Sequence, residues 1–114
     1  MTATTDDILI PVQTPLAPGA DVSSAVFDVS DARTVELLFS ITSPLADVHW
    51  RVHFGPTPNN GYATARQGDF GRFNTIAISV PVFGTGVLVA IHNNGSHATA
   101  VDGNIRVIHE FGEA

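Results

Sequence analysis

Two histidines and an arginine alternate with apolar residues in the segment 47–54, and these side chains are the first candidates for chemistry. His49, Arg51 and His53 would share one face of a β-strand, because side chains two positions apart point the same way. A rise of about 3.3 Å per residue places His49 and His53 about 13 Å apart, too far to share one ion at about 2.1 Å. A metal would need a ligand from a neighbouring strand, so we expect a solvated or hydrogen-bonded face and no metal.

A second group of polar and aromatic residues lies in the segment 62–73, which we interpret as a loop. Arginines beside aromatic rings can stack on sugars or bases, or dock on a neighbouring protein. The chain has only one Trp and one Tyr, which is little material for an aromatic sugar-binding platform. Over the two segments, the residues expected to contact a ligand or partner are Tyr62, Arg66, Asp69, Phe70, Arg72, Phe73, His49, Arg51 and His53.

Motifs that build catalytic or cofactor sites are absent from the sequence. It contains no Gly-x-Ser-x-Gly turn, no His-Glu-x-x-His run and no glycine-rich nucleotide loop. It also contains no Cys and no Lys, which excludes thiolate zinc sites, cysteine nucleophiles and Schiff-base lysines. We therefore predict a protein that is not an enzyme, with no catalytic residues and no cofactor.

Alternation of apolar and polar residues defines the elements that must position these groups. It is clear in the segments 34–41, 47–54, 75–82 and 105–111, and weaker in 7–12, 22–29 and 86–92. Within 34–41 only Leu38 departs from the alternation. Phe39 in this segment and Trp50 in 47–54 lie on the predicted core faces of their strands. The segment 86–92 is apolar on both parities, which predicts a strand covered on both faces and close to a subunit contact.

Turn-forming Pro, Gly and Asn residues separate these segments, and no window shows a capped helical period. The predicted fold is all-β with minimal helix: an antiparallel two-sheet β-sandwich of about seven to eight strands. It is expected to be jelly-roll-like rather than immunoglobulin-like. Residues 1–114 are expected to form a single domain with a short extended N-terminal segment.

Charge is distributed unevenly along the chain. Residues 1–36 carry six acidic residues and one arginine, a net of −5, whereas residues 37–106 carry three acidic residues and four arginines, a net of +1. The net charge of −6 opposes binding to nucleic acid or to an anionic membrane. The N-terminal residues resemble no signal peptide, so we expect synthesis in the cytoplasm and leave the final location, a virion included, undetermined.

These observations favour a non-catalytic structural module that self-associates, as a trimer or dimer, or attaches to a larger shell. We expect such a module to be a phage decoration protein or a tail-associated protein. The alternative is a small lectin-like sandwich that binds carbohydrate or another ligand through the segment 62–73 or the face of His49, Arg51 and His53. A metal-dependent enzyme of jelly-roll fold is the third alternative.

Overall fold

The computed structural model of the chain describes residues 2–43, 47–56, 61–71 and 73–110. These residues form strands joined by turns, and none of them belongs to a helix that could cross a membrane. The strands in chain order are β1 (Thr2–Leu16), β2 (Asp21–Ser23), β3 (Phe27–Asp28), β4 (Ala32–Ile41), β5 (Val48–Gly55), β6 (Ala63–Asp69), β7 (Thr75–Pro81), β8 (Gly86–Asn93) and β9 (Thr99–Glu110).

The strands form two antiparallel sheets that pack face to face. The first sheet has the order β1-β9-β4-β7, and the second has the order β2-β8-β5-β6. The short strands β2 and β3 pair with different parts of the same strand, β8, and so share one position at the edge of the second sheet. The chain passes repeatedly between the sheets, with β1 paired to β9, β2 to β8, β4 to β7 and β5 to β6. This nested pairing confirms the predicted jelly-roll sandwich.

The inward positions of the alternating strands build the core between the sheets. In β4 these positions end in Phe39 and Ile41, and in β5 they include Trp50 and Phe54, all of them buried. The rings of Phe39 and Trp50 lie 6.1 Å apart and join the two sheets. Burial of such side chains is the main favourable term in folding, at about 1.5–3 kcal/mol each. The predicted inward faces of 34–41 and 47–54 are therefore confirmed.

Strand β8 carries the run that is apolar on both parities. Its inward positions are buried, while the outward Leu88, Ala90 and His92 are half-buried. The strand lies in the middle of the second sheet, between β5 on one side and β2 with β3 on the other. The first sheet covers its inward face, whereas its outward face is flanked but not covered by neighbouring strands, and the subunit contact expected there stays a prediction.

Residues 63–69 of the segment 62–73 form strand β6, which corrects the interpretation of the whole segment as a loop. Strand β6 pairs with β5 from the His49–Asp69 pair to the Phe54–Ala63 pair. The sequence of β6 has no alternation of large apolar residues, and nearly all of its residues are exposed. Its extended conformation comes from pairing with β5 at the sheet edge, because strand formation depends strongly on tertiary context.

Several predicted segments also differ in extent. Residues 7–12 are part of a longer strand, β1, which pairs with β9 from Thr2 opposite Glu110 onwards. The predicted strand 22–29 is split into β2 and β3, with an exposed Val26 between them. The predicted strand 105–111 is the second half of β9, and its last residue, Phe111, lies outside the described residues.

Candidate functional site

The outer face of the second sheet carries the three polar residues of β5 identified from the sequence. His49 and His53 are half-buried and Arg51 is exposed, while the residues between them point into the core. The strand alternation thus places all three on the same surface, as expected from a period of two.

A row of four titratable residues crosses this face from edge to edge. The strand register places Asp21 of β2 beside His92 of β8, His92 beside His49, and His49 beside Asp69 of β6. His92 Nδ1 is hydrogen-bonded to Asp21, and His49 Nε2 lies 3.0 Å from Oδ1 of Asp47. Sequence reasoning missed His92 and Asp21. His92 shares the outward parity of Leu88, but only the pairing of β8 with β5 brings it to His49.

His53 occupies a different environment on the same face. It lies opposite Leu88 and Thr64, and its Nδ1 is 3.1 Å from the Thr64 hydroxyl. Burial lowers the pKa of His53 below its usual value, and the positive charge of Arg51 lowers it further. His53 is therefore biased toward the neutral form, which suits its hydrogen bond to a hydroxyl.

The residues expected to act together in 62–73 are dispersed by the strand. Arg66 donates a hydrogen bond of 3.0 Å to the backbone oxygen of Ser79 in β7, and so bridges the two sheets at their open edge. Asp69 joins the titratable row beside His49, and the exposed Phe73 lies beyond the end of β6.

Of the remaining three residues, one belongs to the core, one packs at an end of the sandwich and one lies outside the described residues. Phe70 is almost completely buried and belongs to the core, which corrects its expected role in contact with a ligand. Tyr62 packs at one end of the sandwich against Gly55 and Gly86, where added Cβ atoms would lie 2.9 Å from the ring and 2.7 Å from its hydroxyl. Arg72 lies outside the described residues.

A small apolar cleft lies at the same end of the sandwich. It has a volume of about 370 Å³ and is lined by Phe54, Pro56, Ala63, Phe83 and Gly84, among others. The rings of Phe54 and Phe83 meet nearly edge to face, at 6.1 Å and 78°. Phe83 is largely exposed, so its ring is available to a ligand.

The outer face of the first sheet forms a larger trough with an apolar floor, and sequence reasoning did not identify it. The trough has a volume of about 700 Å³. Ile8 of β1 and Leu38 of β4 lie in it with 60% and 42% of their surfaces exposed, close to Ala77 of β7. The only signal in the sequence was Leu38, the one residue that departs from the alternation of its strand.

Charged residues line one side of this trough, which we call the first-sheet trough. Arg106 Nε donates a hydrogen bond of 2.7 Å to Asp6, and its guanidinium lies 3.9 Å from Glu36. The hydrogen bond from Arg106 holds the pKa of Asp6 below its usual value. The trough thus combines exposed aliphatic side chains with charges of both signs.

The described ranges contain no three His, Cys, Asp or Glu residues placed together to hold a metal ion. Two surfaces remain as candidate sites: the outer face of the second sheet, where His49 lies opposite His92, and the first-sheet trough, which exposes aliphatic side chains. The second has the composition of a contact surface, since exposed apolar patches with polar rims mark interaction sites.

Comparisons with known proteins give the fold but no family. No protein-family model matches the sequence, and no curated protein matches it. A structure described as Bacillus endospore appendages that form disulfide-linked pili matches with a TM-score of 0.62 and 12% identity, over 98% of this chain and 92% of that chain.

Two further structures match along nearly the whole chain. The SPBc2 prophage-derived protein YomS has a TM-score of 0.61 and 10% identity, with 95% of each chain covered. The infectious bursal disease virus VP2 subviral particle has a TM-score of 0.59 and 10% identity, over 96% of this chain and 33% of that chain. None of these three descriptions names an enzymatic activity. Solved structures with this fold thus include pilus, prophage-derived and virus-particle proteins, and the likeness to them is one of fold.

Proposed function

We propose that this protein is a non-catalytic assembly module that self-associates through the first-sheet trough and attaches to a larger shell, such as a phage virion or tail. The observation that carries the proposal is the exposure of Ile8 and Leu38 in one row across a sheet face, with Asn104 of β9 between them. Water around such side chains is unfavourable, and a contact that excludes it contributes free energy in proportion to the apolar area covered. The pilus, prophage-derived and virus-particle proteins that share the fold support the same proposal.

The charges beside the trough favour a second copy of the chain as its occupant. Arg106 lies between Asp6 and Glu36, and Asp7 also lines the trough. A patch with charges of both signs can pair with itself across a two-fold axis, because each arginine can face carboxylates of the other copy. Of the dimer and trimer predicted from the sequence, this arrangement favours the dimer.

Light scattering of the purified chain in a buffer with EDTA tests the proposal. We expect a concentration-dependent mass that approaches about 24 kDa, twice the 12.0 kDa of one chain. Leu38→Glu should weaken dimerisation about 100-fold, since two copies of an apolar side chain are lost and two carboxylates are buried. A wild-type mass of 12.0 kDa from micromolar to millimolar concentration would contradict self-association.

Gln67→Glu is the matched control for this experiment. Gln67 is exposed on β6 in the other sheet, and the substitution adds the same charge without entering the first-sheet trough. We expect its mass to follow that of the wild type. If Gln67→Glu and Leu38→Glu reduce the mass equally, net charge rather than the trough controls association.

Ligand binding at the end cleft is the second candidate function, and the pair of Phe54 and Phe83 is the observation that favours it. An exposed aromatic ring beside a cleft can stack on the apolar face of a sugar. A glycan array and a sugar-dependent rise in Tm test this function, because a ligand that binds the folded state raises Tm. Phe83→Ala should abolish any such rise.

A further inference from the structure

His49 and His92 lie directly opposite each other on the neighbouring strands β5 and β8. Both point outward, with 42% and 41% of their side-chain surfaces exposed. Cβ atoms of opposed residues in an antiparallel pair are about 4.5–5.5 Å apart. Two nitrogens bound to one tetrahedral ion at about 2.1 Å are about 3.4 Å apart, so two imidazoles in this relation can converge on one ion.

Each imidazole is also oriented by a carboxylate. Asp47 contacts Nε2 of His49, and Asp21 contacts Nδ1 of His92. A neutral imidazole has one N–H, and a carboxylate can only accept, so that proton lies on the nitrogen facing the carboxylate. The lone pairs are then left on Nδ1 of His49 and Nε2 of His92. Metal-binding histidines commonly have this arrangement, which sets the tautomer and raises the basicity of the ligand nitrogen.

We propose that His49 and His92 form a two-imidazole site for a divalent late transition metal, such as Ni²⁺, Cu²⁺ or Zn²⁺. Imidazole suits these ions, and their affinities follow the Irving–Williams order up to Cu²⁺. Water fills the remaining positions, because no third ligand in the described ranges stands ready to complete the site. The surrounding carboxylates of Asp21, Asp47 and Asp69 outnumber Arg51, and their negative field favours a cation.

The third histidine of this face stands outside the proposed site. His53 lies opposite Leu88 rather than a histidine, and it is hydrogen-bonded to Thr64. The four residues from His49 to His53 correspond to about 13 Å along the strand, beyond the reach of a shared ion. His53 is therefore the matched control. The proposal uses the outer face of the second sheet and does not depend on association through the first-sheet trough.

Calorimetric titration of the metal-free full chain with NiCl₂ tests the site. We expect one ion per chain, and we expect His49→Asn and His92→Asn each to weaken binding at least tenfold. Asp21→Asn should weaken it by about tenfold or more, since loss of a carboxylate behind a ligand histidine typically costs 10–100-fold in affinity. His53→Asn should leave the affinity unchanged.

NMR of the wild type provides a second measurement that needs no variant. Paramagnetic Ni²⁺ should broaden the side-chain signals of His49 and His92 at substoichiometric amounts, before those of His53. The proposal is overturned if Ni²⁺ does not bind, if binding survives in His92→Asn, or if His53→Asn weakens it as much as His49→Asn.

Discussion

Strands β5 and β6 are paired neighbours in the second sheet, yet they contribute to the core in opposite ways. β5 fills the interior with large side chains, including Trp50 and Phe54. β6 places Gly68 opposite Trp50, and a Cβ on this glycine would lie 2.6 Å from the indole ring. The side chains of β5 thus fill the core, and the glycine of β6 leaves the space that the indole ring occupies. Apolar alternation in the sequence identifies the large side chains of β5 but not the space provided by Gly68.

The largest expected effect comes from removing the large partner. Trp50→Ala should destabilise the fold by about 3 kcal/mol, at the lower end of the range of about 3–5 kcal/mol for such substitutions. Trp50 Nε1 is buried without a hydrogen-bond partner among the described residues, which destabilises the wild-type fold. Because the substitution removes this unpaired N–H, part of the lost packing energy is offset. Urea unfolding measures the change.

Trp50→Phe provides the control for this prediction. It keeps an aromatic ring between the sheets and removes the unpaired N–H, so it should cost less than Trp50→Ala. A loss below about 1 kcal/mol for Trp50→Ala would contradict the packing of the indole in the core.

The next effect comes from adding a side chain on β6. Gly68→Ala should destabilise the fold by about 1–3 kcal/mol, because the new methyl group meets Trp50 and forces the ring to move. In the Trp50→Ala background the same substitution should cost almost nothing, since the ring is gone. Urea unfolding of the two single variants and the double variant measures this coupling. Equal costs in both backgrounds would show that Gly68 is needed for another reason.

The smallest effect concerns the outer face of β5 and its dependence on pH. Because the pKa of His53 is lowered in the folded state, the unfolded chain binds its proton more readily. The free energy of unfolding is therefore at its full value above the unfolded-state pKa of about 6.5. It decreases as the pH falls through the lowered pKa of the folded state. Urea unfolding between pH 7 and pH 5 should show a smaller pH dependence in His53→Asn than in the wild type. An identical dependence would contradict the lowered pKa.

Prediction of the fold from sequence succeeded where each strand carried its own pattern. The alternation around Phe39 and Trp50 identified β4, β5 and their inward faces, because a half-buried strand needs apolar residues on one side only. It failed for β6, whose residues are exposed at a sheet edge and carry no such pattern. The predicted contact role of Phe70 is wrong for the same reason, because the interpretation of this segment as a loop gives no inward direction to its ring.

The candidate surfaces were only partly predictable. The shared face of His49 and His53 follows from their spacing, and the exclusion of a common ion between them follows from the strand rise. His92 could not be assigned to His49, because strand pairing and register are set by the whole sandwich. The first-sheet trough needs the strand order β1-β9-β4-β7, and these four strands are far apart in the sequence.

The residues alone therefore determined an all-β sandwich, the inward faces of its clearest strands, and a chemistry without thiols or lysines. These properties depend on local periodicity and on the inventory of side chains, which need no knowledge of distant contacts. Only the tertiary structure decided that β6 is a strand, that Gly68 makes room for Trp50, and that His49 meets His92. Each of these depends on which strands become neighbours and in which register they pair. The packing of the whole core selects this arrangement, so no single segment of the sequence reveals it.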